Sequence, residues 1–181
     1  MTTSAEHERE VQKSAQTAPE VARTAFELRA LTMTERHFAH HTALEGKDMS
    51  AHALIEGGDG NLNLLSVGAL FTSDDGKDMA ASVIRRTSAV LQATAIAFVT
   101  EAWVVWLDKD KLDLDRMGRV SERSDRREAV IVHVEEFACE PVAFHSTVVR
   151  AGKRSLSGWV RMDKEVSGRF TDMLRARAET V

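Results

Sequence analysis

The chain has 181 residues, 43% of them hydrophobic and 29% charged, with a formal net charge of −4. A chain of that size folds as one domain with a proper core, and without a basic excess it is not expected to bind nucleic acid in general, since such affinity rests on neutralising phosphate. The single cysteine, Cys139, excludes an intramolecular disulfide framework, and no run of about 18 uncharged apolar residues marks a membrane span.

Residues 1–18 are rich in Thr, Ser, Ala, Glu and Gln. They hold no apolar signal-peptide core and read as a flexible tail, which makes the cytoplasm the expected compartment and 19–181 a single domain. Pro19 suits the first turn of a helix, and Val21, Ala22, Ala25, Phe26, Ala30 and Met33 recur at helical spacing to about residue 38. The run Gly57-Gly58-Asp59-Gly60 is turn chemistry between two β-like stretches, so a hairpin is expected at 51–57 with 62–71. A helix follows, with Ser73, Asp74 and Asp75 as N-cap candidates and Met79, Val83, Ile84, Thr87, Val90 and Leu91 as its apolar stripe.

Residues 94–107 include "AIAFVTEAWVVW", apolar on both faces of a strand, which predicts a central position with helices against it. Glu101 stands in that run between Val99 and Trp103 on one face, so it must be neutral or paired. Arg126 and Arg127, at the entry to the next strand, are its expected partners. Three more strands are expected at 128–138, 142–150 and 155–162, and an amphipathic helix at 164–177 carries Val166, Phe170, Met173 and Leu174. The fold class is therefore α+β, a mostly antiparallel sheet of about six strands with helices packed on it, in the order α-ββ-α-ββββ-α.

The connection 108–127 holds six acids and seven bases, among them Arg116, Arg119, Arg123, Arg126 and Arg127, an arginine cluster able to grip phosphate or an acidic partner. "TEAW" in the central strand, taken with "SERSDRREAVIV" after the polar loop, resembles short uncharacterised proteins of bacteria and their phages over about residues 95–135. The resemblance brings no activity. It implies that Glu101, Trp103, Ser121, Arg127 and Glu128 belong to one structural unit.

Candidate chemistry is sparse. His37 and His41 stand at i, i+4 on a helix, a start for a metal site that lacks the following carboxylate. His133 and His145 fall on adjacent strands, and a turn at 139–141 would set His133 by Thr147 and His145 by Glu135. Cys139, flanked by apolar residues, reads as a small buried hydrophobe. No phosphate-binding glycine loop and no nucleophile elbow is present, and no cofactor is expected. The expected function is a non-enzymatic interaction or assembly module, self-associating and contacting a protein partner through the 108–127 loop or a sheet edge. The alternatives are a hydrolase using Glu101 with His133 or His145, and phosphate or nucleic-acid contact through the arginine loop.

Overall fold

The computed structural model describes residues 16–44, 48–105, 120–150, 152–162, 170, 173 and 174. Its helices are α1 (Ala18–Val21), α2 (Ala25–Leu44) and α3 (Asp74–Val90). Its strands are β1 (His52–Glu56), β2 (Leu62–Ser66), β3 (Ala95–Val104), β4 (Arg127–Glu136), β5 (Val142–Val149), β6 (Ser155–Leu156) and β7 (Val160–Met162). All seven join one antiparallel sheet in the order β2-β1-β3-β4-β5-β6, with β7 also paired to β5. The fold is α+β, and β3 lies in the interior of the sheet, as its two apolar faces require.

Alternation divides the sheet cleanly. Leu54, Ala97, Val99, Val130, Val132, Val134 and Phe144 meet Phe26, Leu31 and Phe38 of α2 on one face. Ala53, Ile55, Ile96 and Phe98 meet Ala80 and Ile84 of α3 on the other, together with Met173 and Phe170. Of the expected C-terminal helix only residues 170, 173 and 174 are described, and all three pack on this second core.

Several local readings change. The first helix is two helices, because two Thr-x-x-Glu capping boxes follow each other. Thr17 and Glu20 cap α1. The amides of Thr24 and Arg23 donate to Glu27, and the Glu27 amide donates 3.0 Å to Thr24 Oγ1, which starts α2 afresh. The tail also ends earlier than expected. Gln16 exchanges backbone hydrogen bonds of 2.8 and 2.7 Å with Trp159, and Ala18 is buried. The second strand of the first hairpin stops at Ser66, where a 3-10 turn over Gly68–Leu70 begins. A Cβ on Gly68 would lie 1.7 Å from Ser50 Oγ, so that hydroxyl would have to turn aside. The α3 stripe is rotated from the expected one. Ala80, Ala81, Ile84 and Ser88 are buried while Met79 and Val90 are exposed, since small residues let the helix approach the sheet closely. Gly158, at φ 102°, splits the expected last strand into β6 and β7.

The β4–β5 turn is centred two residues earlier than expected, with Ala138 in the left-handed region at φ 63°. His133 therefore faces Ala143 and His145 faces Ile131, in place of Thr147 and Glu135. Cys139 lies in this turn and is exposed, not buried.

Candidate functional site

The polar side chains gather at the end of β3 on the α2 face. Glu101 stands opposite Val130, and Trp103 opposite Glu128. Since both strands alternate in phase, Glu101 and Glu128 share that face one step apart. Arg150, directly after β5, and Arg154, directly before β6, bracket the connection that returns the chain to them. Arg150 holds Glu128 with two bonds of 2.8 Å. Arg154 bonds Glu101, reaches Glu128 at 3.0 Å and Asp48 at 3.3 Å, and lies 5.4 Å over the Phe38 ring. The Met49 amide completes the shell of Glu101 at 2.8 Å. The side chains of Glu101 and Arg154 are only 5% and 11% exposed.

Burial pushes the Glu101 carboxyl up to about 7, and its hydrogen bond to Glu128 acts in the same direction. Burial would raise Glu128 too, but the bonds from Arg150 and Glu101 outweigh it and hold that carboxyl below its ordinary value. The carboxylate oxygens of Asp48, Glu101 and Glu128 lie within 4.8 Å of one another, a spacing that suits a cation. Arg154 already fills that role.

The partner that Glu101 requires is a guanidinium, as expected, but it is Arg154 and not Arg126 or Arg127. Arg127 begins β4 and donates 3.2 Å to the Arg126 carbonyl, and Arg126 lies 4.9 Å over the half-exposed Trp103 ring. Arg123 is turned to Asp125, in bonds of 2.8 and 2.7 Å. Arg116 and Arg119 lie outside the described residues. Nothing local marks Arg154, which is 53 positions from Glu101 in a short joint between strands. The two acids on one face were the only sign that a second cation had to arrive there.

His133 and His145 do not meet Glu101. Phe98 faces His133 and Ile131 faces His145, so both rings lie on the α3 face, with the sheet between them and Glu101. His133 Nε2 is 3.1 Å from Glu135 on its own strand, and the Leu174 amide donates 3.0 Å to the same carboxylate. Burial would raise Glu135, yet the His133 bond and that amide keep it low. Burial alone takes His145 down to about 4.

Three other histidines come together on the α2 face. The Nε2 atoms of His37 and His41 are 2.7 Å apart, and His52, the first residue of β1, sets its Nε2 3.4 Å from His37 Nδ1. Burial takes His52 to about 4, partly offset by its bond to the Ser50 carbonyl, and burial also lowers His37.

A groove of about 670 Å³ runs between the start of the described chain, the second half of α2 and the β6 margin of the sheet. Phe38, Ala39, Pro19 and Leu156 give it apolar walls; Thr17, Thr42, Ser155 and Ser157 add hydroxyls; Glu35, Lys153 and Arg154 add charge. Glu35 is tied back to the indole of buried Trp159 at 2.8 Å. No protein-family model, no curated protein and no solved structure matches the chain.

Proposed function

We propose that the protein is a non-catalytic binding module that takes an extended peptide segment of a partner protein in the groove beside β6. The observation that carries this reading is the groove itself. Its volume, about 670 Å³, is of the size that encloses a ligand, and one wall is the outermost strand of the sheet. An extended peptide can add to such an edge through its backbone while hydroxyls and a lysine read its side chains. The carboxylates beside the groove support binding over catalysis, because Arg150 and Arg154 hold them in a closed set of ion pairs. In the same reading the module self-associates along β2, a margin of the sheet among the described residues.

The test is a selection from a displayed peptide library, with each recovered peptide titrated against the chain and against Ala39→Trp. Ala39 is exposed on α2 and lines the groove, so the indole fills the space without disturbing the core. Peptides should lose at least about tenfold in affinity on the variant while its melting temperature stays unchanged. Peptides that bind both proteins alike would place binding elsewhere and end the groove reading.

A further inference from the structure

We propose that His37, His41 and His52 form a site for a divalent transition-metal ion of the zinc, nickel or copper class, clasping α2 to β1. The site is separate from the groove: His37 and His41 leave α2 on a different side from Phe38, Ala39 and Thr42, which line the groove. The i, i+4 spacing sets two imidazoles one above the other, with their Nε2 atoms 2.7 Å apart. The third ring comes from the sheet, its centroid 4.6 Å from that of His37.

The protonation of His52 is fixed by its surroundings. Its Nδ1 lies 2.9 Å from the Ser50 carbonyl oxygen. A carbonyl only accepts, so Nδ1 carries the proton and Nε2 presents its lone pair toward His37. A ring nitrogen held by a backbone carbonyl, with the other nitrogen directed at neighbouring imidazoles, is the arrangement that orients metal-ligating histidines. His52 is buried, while His37 and His41 are half-buried, which leaves a solvent side for a coordinated water.

Tetrahedral coordination with bonds of about 2.0–2.1 Å needs ligand nitrogens about 3.3 Å apart. The His37–His41 pair must open slightly. His37 now turns one nitrogen to each neighbour, so its ring must rotate to give a single nitrogen to the ion, and His52 follows. Three neutral nitrogens with no carboxylate favour an imidazole-preferring metal over magnesium or calcium.

The experiment is calorimetric titration of the full chain, free of any polyhistidine tag, with zinc, nickel and magnesium chlorides. Zinc or nickel should bind one per chain at micromolar concentration, and magnesium should not bind. His37→Ala and His41→Ala should abolish binding, His52→Ala should weaken it at least about tenfold, and exposed His40→Ala should leave it unchanged. Because His52 is buried and its loss could disturb β1, copper(II) paramagnetic resonance on the unmutated chain gives a second readout. Three imidazole nitrogens are expected around the ion. Two nitrogens, or titrations indifferent to His52→Ala in a folded variant, would reduce the site to a surface pair on one helix and overturn the proposal, as would the absence of one-to-one binding.

Discussion

Arg154 is the residue on which the carboxylates at the end of β3 depend. Replacing it by Ala leaves Glu101 and Glu128 facing each other with Arg150 alone, so Arg154→Ala should destabilise at least as much as Glu101→Ala. Removing one partner of a buried pair typically costs about 3–5 kcal/mol. Glu101→Gln keeps an acceptor for the Met49 amide and should cost less. Urea denaturation reads all three, and an Arg154→Ala variant as stable as the parent would show that the pairs contribute nothing. The two shifted groups on opposite faces also make opposite demands on pH. Glu101 goes from an ordinary 4.5 unfolded to about 7 folded, so the folded chain binds the extra proton between those values and this term weakens stability as pH rises. His145 goes from 6.5 to about 4, so the unfolded chain binds the extra proton and this term strengthens stability as pH rises from 4 to 6.5. Across pH 4.5–6.5, Glu101→Gln should therefore steepen the rise of stability with pH and His145→Gln should flatten it. Urea midpoints at a series of pH values check both slopes, and parallel profiles for all three proteins would sink the assignment.

At the scale of the element, α3 shows how a local rule is reversed by its neighbours. Ser73 Oγ accepts from the Gly76 amide at 3.0 Å, so Ser73→Ala should lose about 1 kcal/mol as an N-cap. Gly76 lies in the first turn, where Ala is normally the better helix former by about 1 kcal/mol. Here a Cβ would stand 2.0 Å from the Leu70 carbonyl oxygen, a backbone atom that cannot turn aside. Gly76→Ala should lower the melting temperature, and an unchanged or higher value would refute the contact. The existence and order of the described elements were legible because continuous apolar runs such as 95–104 announce a buried strand by their length. What failed was set by contacts between elements. The β4–β5 register depends on Ala138 taking a left-handed conformation with no glycine to signal it. The buried side of α3 was decided by close approach to the sheet, which favoured Ala80 and Ala81 over Met79. The break before α2 is legible, since Thr24 and Glu27 stand at capping-box spacing, although Pro19 offers a competing helix start.

Among the described residues, β2 is the margin of the sheet opposite the groove. Cover for the two faces of the central strand does not call for a second copy, since among the described residues α2 covers one face, and α3 with Phe170, Met173 and Leu174 covers the other. The edge gives a better reason. Among the described residues β2 pairs with β1 alone and stands at the margin of the sheet, with no lysine or proline along it to discourage pairing. Leu64, opposite Leu54 on the α2 face, is 57% exposed. Two copies meeting antiparallel at β2 would continue the sheet across a two-fold axis and cover both Leu64 side chains. The expected outcome in sedimentation at tens of micromolar is a species near twice 20.0 kDa. Leu64→Lys adds a charge to each copy where the two strands would meet, and should return the chain to a monomer with little change in its own stability. A parent protein that sediments only as the monomer would refute association outright, and a dimer that survives Leu64→Lys would move the interface away from β2.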